Sequence, residues 1–235
     1  MRKPALLKQA KTIDYTGFKL KKISEPRFRH LLWLLFWPIY WLRYPLVELF
    51  NPAEEYNIIY CSLDGLIPFN ELFIIPYMFW TLGMLAMCAY ALKYDVELFE
   101  NYSKFLSIAI SISTLCFLIY PSCQNLRPSV FRRDNILTDC VKLIYAVDTN
   151  TNVFPSEHAI GAIAVWLASL NTSGLRTPGG QLLTGLFAVL TCMSTVFLKQ
   201  HSVLDILFAL PVCAVAYYFS FYRHKKLMKK RCEQF

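Results

Sequence analysis

The sequence predicts an all-α protein, a polytopic membrane helix bundle with about six transmembrane helices. Three observations predict this class: an apolar composition, a series of long apolar segments, and positive charge concentrated at both ends. Of 235 residues, 56% are hydrophobic and 17% are charged, and the mean hydropathy is +0.38. Because a soluble domain has about 25% charged residues, the composition indicates that lipid surrounds most of the chain.

The apolar segments are each near the length of about 20 residues that a helix needs to cross a bilayer. They are Leu31–Phe50, Leu72–Leu92, Phe105–Tyr120, Phe154–Leu170, Leu182–Leu198 and Val203–Tyr222. The first contains Pro38, Arg43 and many aromatic residues, so a position partly in the membrane interface is an open alternative. The fourth is short and begins with the polar residues Ser156, Glu157 and His158.

Positive charge divides the chain into three parts. Residues 1–30 contain nine Lys and Arg, and residues 223–235 contain six. Both clusters flank apolar segments, and Lys and Arg concentrate on the cytoplasmic side of membrane proteins. We therefore predict a basic cytoplasmic N-terminal segment (1–30), a transmembrane domain (31–222) and a basic cytoplasmic tail (223–235) in a multi-pass protein of the cell membrane. Membrane lipids are the expected partners of this charge, and nucleic acid is not.

The opposite, extracytoplasmic side carries cations that the charge rule disfavours. The connection Asn51–Glu71 has no Lys or Arg and is placed outside. The two other outer connections nevertheless contain Arg127, Arg132, Arg133, Lys142 and Lys199. An anionic ligand held on the outer face would explain these positive charges.

Two histidines and a carboxylate fall beside apolar segments on this same predicted face. His158 begins the fourth segment, and His201 with Asp205 begins the sixth. Residues at positions i and i+4 share one face of a helix, so Asp205 can accept from one ring nitrogen of His201 and leave the other basic. A structural ion pair is the alternative interpretation of His201 and Asp205, and His158 alone is compatible with a polar residue at the water boundary.

Two further features are compatible with a phosphate site but do not require one. Pro155 and Ser156 are typical of a helix start, where free backbone N–H groups attract phosphate, although a capped transmembrane helix explains them equally. Arg127 suits a bidentate clamp on phosphate oxygens or a side chain that extends to the membrane interface.

The order and spacing of these residues resemble the type 2 phosphatidic acid phosphatase (PAP2) superfamily of membrane lipid phosphatases. The family pattern is K-x6-R-P, then P-S-G-H, then S-R-x5-H-x3-D. The corresponding residues here are Tyr120-x6-Arg127-Pro128, Pro155-Ser156-Glu157-His158 and Ser194-Thr195-x5-His201-x3-Asp205.

The resemblance implies a role for each matched residue. His201 would attack phosphorus and form a phosphohistidine, Asp205 would orient its ring, and His158 would protonate the departing alkoxide. The phosphoryl oxygens would be held by Arg127 and by the backbone around Ser156 and Ser194. The family needs no metal and no cofactor, so none is expected.

Three departures from the family pattern alter the expected phosphate site. Tyr120 stands where the family has lysine, Thr195 where it has arginine, and Glu157 where it has glycine. Lys199 would restore one positive charge from another position, as would Arg132 or Arg133. Lipid phosphotransferases related to this family similarly keep the His/His/Asp set and vary the cations, and the segment 63–69 loosely resembles a loop of such relatives.

We therefore expect a membrane-embedded enzyme with its active site on the extracytoplasmic face and a lipid phosphate as substrate. Hydrolysis of a phosphomonoester or diphosphate lipid through a phosphohistidine is the first hypothesis. The alternatives are a phosphotransferase that uses an alcohol acceptor, similar to sphingomyelin or inositol phosphorylceramide synthases, and a catalytically inactive membrane member of the family.

Overall fold

The computed structural model describes residues 13–50 and 53–223, and its regular structure is almost entirely helical. The predicted basic segments therefore lie partly (1–12) and almost wholly (224–235) outside the described residues. The α-helices are α1 (Phe36–Phe50), α2 (Ser62–Leu66), α3 (Ile74–Tyr94), α4 (Val96–Ile119), α5 (Ile136–Val147), α6 (Glu157–Ser169), α7 (Pro178–Phe197) and α8 (Val203–Tyr217). Short 3-10 turns span Leu20–Lys22, Arg29–Leu35 and Glu71–Phe73, and a wider π turn, Tyr218–Tyr222, extends α8.

Short polar side chains begin most of these helices. Each accepts a hydrogen bond from a backbone N–H that the first turn leaves unpaired. Asp95 caps α4, Asn135 caps α5, Ser156 caps α6, Thr177 caps α7 and Ser202 caps α8. Because Asp95 supplies a cap there, α4 begins at Val96, nine residues before the predicted start of the third apolar segment at Phe105.

Among the described residues, four helical segments are long and apolar enough to cross a membrane: Glu71–Tyr94, Val96–Ile119, Pro178–Phe197 and Val203–Tyr222. The chain is thus an all-helical membrane protein, but the predicted count of about six spans is not confirmed. The first predicted segment gives only the 15 residues of α1, after a 3-10 turn, and the fourth gives only the 13 residues of α6. Helices of about 22 and 20 Å fall short of a hydrocarbon core of about 30 Å.

Helix α6 is short because it lies inside the bundle, where it contacts α3, α4, α7 and α8. Its buried face consists of small residues, including Ala159, Ala162 and Ala168. A Cβ on Gly161 would lie 2.5 Å from the Met84 sulfur and 2.7 Å from the indole nitrogen of Trp80. The absence of a side chain at Gly161 therefore allows α6 to approach α3 closely, which fixes the first turn of α6 against the aromatic residues of α3.

One end of the bundle, called here the site end, is where α3, α6 and α8 begin and where α4 and α7 finish. Short elements cover it: α2, α5, and the two-stranded parallel sheet of β1 (Asn57–Ile58) and β2 (Ser122–Cys123). The sequence did not predict α5, an amphipathic helix whose Val141 packs with Ile74, Tyr77 and Leu198 in a small apolar cluster. This cover brings polar loops over the helix ends that carry the predicted site.

Candidate active site

His201 and Asp205 are in direct contact at the start of α8. His201 Nδ1 lies 3.0 Å from Asp205 Oδ2, and the backbone N–H of Ser202 donates to the same oxygen at 2.9 Å. The sequence predicted this contact from two positions on one helix face, and that reason was wrong. Helix α8 begins at Val203, so His201 belongs to the preceding turn. The capping box of Ser202 and Asp205 brings the carboxylate back to the ring.

His158 completes a chain of three groups. Its Nδ1 lies 3.1 Å from Nε2 of His201, and its ring packs against the rings of Tyr77 and Trp80, with centroids 4.8 and 4.2 Å away. When His201 carries its proton on Nδ1, facing Asp205, its Nε2 accepts from the Nδ1–H of His158. The carboxylate thus selects the tautomer in which Nε2 of His201 holds a free electron pair.

The turn before α8 depends on a lysine with left-handed backbone geometry. Lys199 has φ +56°, and the N–H groups of Gln200 and His201 both donate to the carbonyl of Thr195, at 2.8 and 3.1 Å. The Lys199 ammonium donates to the carbonyls of Asp64 and Ile67 at 2.7 and 2.5 Å, and burial lowers its pKa. Lys199 therefore anchors segment 63–69 and is not free to replace the missing family lysine.

Ser156 and Ser194, both predicted to help hold phosphate, are fully buried. Both side chains form hydrogen bonds within the protein. Ser156 accepts from Ala159 N–H at 3.3 Å, and its own N–H donates to the Asp205 carbonyl at 3.1 Å. It therefore joins the start of α6 to α8. Ser194 lies in the last turn of α7 and donates to the Thr191 carbonyl at 2.6 Å. Of the two, Ser156 stands at a helix start whose next N–H groups have no intrahelical acceptor.

Arg127 lies next to the loop that carries His201, and its guanidinium already donates hydrogen bonds within the protein. It donates to the carbonyls of Tyr145, Asp148 and Thr149 at 3.1, 2.7 and 2.9 Å, and to the side-chain oxygen of Gln200 at 2.5 Å. The guanidinium also stacks 4.4 Å above the Tyr145 ring, and burial lowers the pKa of Arg127. As a phosphate ligand, which remains a prediction, Arg127 would have to exchange some of these bonds.

The other outer cations do not approach the histidines. Arg133 pairs with Glu71 at 3.1 Å with its side chain 70% exposed, and Lys142 pairs with Asp134 and Asp139 on the surface. Tyr120, at the position of the family lysine, packs against Phe154. Neither these side chains nor the exposed Arg132 line the cavity that contains the two histidines, so they do not restore the absent family cations there.

A cavity of about 590 Å³ opens between α1, α3 and the loops of the site end, with both histidines in its wall. Six of the residues in its wall are aromatic: Tyr40, Trp41, Tyr44, Tyr77, Trp80 and Phe117. Asp148 and Glu157 are its two carboxylates, and no Lys or Arg is among the described residues that line it. The histidine pair thus faces a space with the size and apolar character of a small-molecule site.

Glu157 is held by Arg43, a partnership that the sequence analysis missed. Arg43 Nη2 lies 2.7 Å from Glu157 Oε2, and Nη1 donates to the Thr114 hydroxyl at 2.5 Å. Both ionic side chains are nearly buried, 13% and 9% exposed. A signal was available, because an arginine and a glutamate in separate apolar segments each need a partner of opposite charge.

Asp64 belongs to the segment 63–69, for which the sequence suggested a likeness to a loop of lipid phosphotransferases but no contact with the site. It is 1% exposed, accepts from the Ser202 hydroxyl at 2.6 Å, and accepts from Val203 N–H at 2.8 Å. Asp64 therefore holds the start of α8 from outside the helix, directly beside the turn that carries His201.

These features define a class: a helical membrane protein with a carboxylate–histidine–histidine chain in the wall of an aromatic cavity. The model of the PAP2 superfamily matches residues 101–229, which is more than half of the chain. The chain belongs to the PAP2 superfamily. It matches no curated protein and no solved structure at a significant level.

Proposed function

We propose that this protein is a membrane-embedded lipid phosphate phosphatase that works through a phosphohistidine on Nε2 of His201. The observation that supports the proposal is the contact chain from Asp205 to His201 to His158, which ends in the cavity wall. A phosphoryl acceptor needs an unprotonated nitrogen, a group that holds its ring, and a nearby acid. His201, Asp205 and His158 would meet these three requirements in that order.

In the first step, the phosphate ester enters between the two rings, and His158 turns its Nδ1–H from His201 to the ester oxygen. Nε2 of His201 bonds to phosphorus while the bond from phosphorus to the lipid oxygen breaks. His158 gives its proton to that oxygen, and Asp205 stabilises the positive charge that develops on the His201 ring.

In the second step, water gives a proton to His158 and attacks the phosphorus. The bond from phosphorus to Nε2 then breaks, which releases phosphate and restores both histidines. No step draws on a cation in the cavity wall. The developing charge on the phosphoryl oxygens would be met by the free N–H groups in the first turn of α6 and by Arg127 behind Gln200.

Transfer to an alcohol is the second candidate, and the apolar wall of the cavity favours it. A hydroxyl-bearing lipid can occupy the mostly apolar space of about 590 Å³ beside His158, as small-molecule sites of this size do. The chemistry is the same, with the alcohol in place of water. Release of free phosphate without an added alcohol distinguishes hydrolysis from this transfer.

The test is replacement of His201 by glutamine in the full-length protein purified in detergent. We expect turnover of lipid phosphates to fall by at least about a thousand-fold, and the acid-labile phosphohistidine to disappear from peptides that contain residue 201. His30→Gln is the matched control, because His30 is a buried histidine bonded to Tyr15, remote from the cavity. Full turnover by the His201 variant would refute the proposal. A folded wild-type protein that forms no phosphohistidine with any lipid phosphate would indicate an inactive member.

A further inference from the structure

The cavity wall contains a buried asparagine whose amide nitrogen has no hydrogen-bond partner among the described residues. Asn152 is 5% exposed, and its Nδ2 is buried without an acceptor. The residue lines the same cavity as His158 and His201. Because buried polar groups are nearly always hydrogen bonded, an unpaired donor at this place indicates a partner that is not part of the protein.

Two other described residues of the wall have a buried polar atom without a partner, and neither suits an anion. Trp80 Nε1 faces α6, since a Cβ on Gly161 would lie 2.7 Å from it. Glu157 Oε1 belongs to a carboxylate, which accepts hydrogen bonds and repels negative charge. Asn152 is the member of this set that can donate. Because Nδ2 forms no bond within the protein, the amide can rotate about its Cβ–Cγ bond and turn this nitrogen toward a ligand.

Other side-chain donors of the wall already bind carboxylates of the protein. Tyr77 and Gln200 donate to Asp148 at 2.7 and 3.2 Å, and Thr149 donates to Glu48 at 2.6 Å. These side chains would have to leave a carboxylate before they could bind an anion, whereas Asn152 would not. No Lys or Arg is among the described residues that line the cavity, so a neutral donor is especially important there.

The backbone holds Asn152 in an uncommon conformation. Its φ of +52° lies in the left-handed region, which asparagine adopts more readily than most residues with a side chain. Its N–H donates to the Ser122 carbonyl at 2.6 Å, and the N–H of Phe154 donates to the Ser122 hydroxyl at 3.1 Å. Ser122 therefore fixes this loop at two points, and residues held in such rare conformations are concentrated at functional sites.

The same loop continues into the first turn of α6. Ser156, four residues after Asn152, caps this helix, and the first N–H groups of a helix have no intrahelical acceptor. The N–H of Ser156 donates to the Asp205 carbonyl at 3.1 Å, which joins the loop to the helix that follows His201. One short segment thus carries the Asn152 amide, the start of α6 and His158.

We propose that Asn152 is a further catalytic residue, which donates a hydrogen bond from Nδ2 to a phosphoryl oxygen while His201 attacks phosphorus. This inference rests on the proposed function and adds a neutral donor to it where the family pattern has cations. The bond becomes stronger as negative charge builds up on that oxygen in the transition state. Since the amide is uncharged, it needs no carboxylate partner when the cavity is empty, unlike a buried lysine or arginine.

Two substitutions separate the amide from the backbone position. Asn152→Asp keeps the shape and the tolerance for a left-handed φ but replaces the donor with an acceptor. Asn152→Gly keeps the φ and removes the side chain. In the full-length protein purified in detergent, each should lower kcat for phosphatidic acid about a hundred-fold with a smaller change in KM, as loss of one donor to a developing oxyanion does.

Orthovanadate gives a second measurement that does not depend on the lipid. It adopts the five-coordinate geometry of a phosphoryl group in transfer, and transition-state analogues bind through the groups that stabilise the transition state. By calorimetry, we expect both Asn152 variants to bind orthovanadate at least about ten-fold more weakly than the wild type.

Asn150→Gly is the matched control, because Asn150 belongs to the same loop but does not line the cavity. Its amide donates to the Gln124 carbonyl at 2.8 Å. Removing this amide should lower the resistance to unfolding by SDS and leave kcat and orthovanadate binding unchanged. The Asn152 variants should show the opposite pattern, since their amide makes no bond within the protein.

Wild-type kcat and orthovanadate affinity in both Asn152 variants, with His201→Gln inactive, would overturn this inference and leave the proposed function intact. So would a loss of kcat in Asn152→Gly that Asn152→Asp restores, because the side chain would then serve only the shape of the loop. A wild-type protein that neither binds orthovanadate nor forms a phosphohistidine would overturn both proposals.

Discussion

Glu157 places a carboxylate where PAP2 proteins have glycine, and the fold accommodates it with Arg43. The two residues come from different helices, α6 and α1, and meet 2.7 Å apart, with Glu157 directly before His158 in the chain. A buried charge without its partner is far less stable than a buried pair. The substitution at the glycine position and the arginine in α1 are therefore one structural unit.

Removing one charge of this unit should cost more than removing both. Arg43→Met leaves the Glu157 carboxylate buried without a cation, and we expect it to lower the free energy of unfolding by about 3 kcal/mol. The double variant Arg43→Met/Glu157→Gln should recover most of this loss. The measurement is denaturation of the purified protein by SDS, followed by tryptophan fluorescence.

The surface pair Lys142–Asp139, 2.9 Å apart, provides the comparison. Because both side chains are largely exposed, Lys142→Met should leave the unfolding free energy unchanged within error. If the effects of the two Arg43 and Glu157 substitutions simply add, the two side chains do not act as a unit.

The N-terminus of α8 is held from two sides, by its own capping box and by α2. Ser202 and Asp205 cap the helix internally, while Asp64 binds the Ser202 hydroxyl and Val203 N–H. The Asp205 oxygen that receives Ser202 N–H also receives His201 Nδ1. A displacement of this helix start would therefore move the Asp205 carboxylate that contacts the His201 ring.

Asp64→Asn is expected to slow catalysis without weakening substrate binding. An amide offers one acceptor oxygen in place of two, so one of the bonds to Ser202 and Val203 is lost. We expect kcat to fall about ten- to a hundred-fold with KM little changed, since small misplacement of a reacting group is costly. Steady-state kinetics separates the two constants.

Asp95→Asn is the control for Asp64→Asn. Asp95 caps α4 through Leu98 N–H at 2.9 Å, at the end of the bundle opposite to the site. It should leave kcat and KM unchanged. An equal loss of kcat in both variants would mean that Asp64 supports only general stability.

The sequence brought His158, His201 and Asp205 together correctly, as their contacts show, but it did not predict the lengths of the helices that carry them. The sequence predicted the contact between His201 and Asp205 from a shared helix face, whereas a capping box at the start of α8 makes it. The length of α6 did not follow, since apolar residues mark a lipid-facing helix and a helix buried among other helices alike. Nor did the partners of Arg43, Asp64 and Asp148, which are set by packing between segments distant in sequence.

The consequence of the missing family cations can be seen only in the folded protein. At the sequence level, Tyr120 and Thr195 left a phosphate site short of charge. In the fold, Thr195 is fully buried and its carbonyl shapes the turn before α8, while acidic residues reach the cavity wall. The charge balance of the fold thus differs from that of the family pattern, because the cavity wall holds Asp148 and Glu157 and none of its described residues is Lys or Arg.

The orientation of the bundle in the membrane decides which side the cavity and the histidines face. Positive charge on residues 13–30, at Lys93 and at Lys104 lies at the end opposite to the site, and the charge rule places that end in the cytoplasm. The site end would then face outward, together with α5, whose Ile144 and Val147 line the cavity.

Cys140, an exposed free cysteine of α5, can report this orientation. In a variant that keeps Cys140 and lacks the other seven of the eight cysteines, a membrane-impermeant maleimide should label intact cells. A variant without native cysteines that carries Lys21→Cys, an exposed position near the opposite end, should be labelled only after permeabilisation. The reverse pattern would place the cavity on the cytoplasmic side, where the lipid substrate would have to be drawn from the inner leaflet.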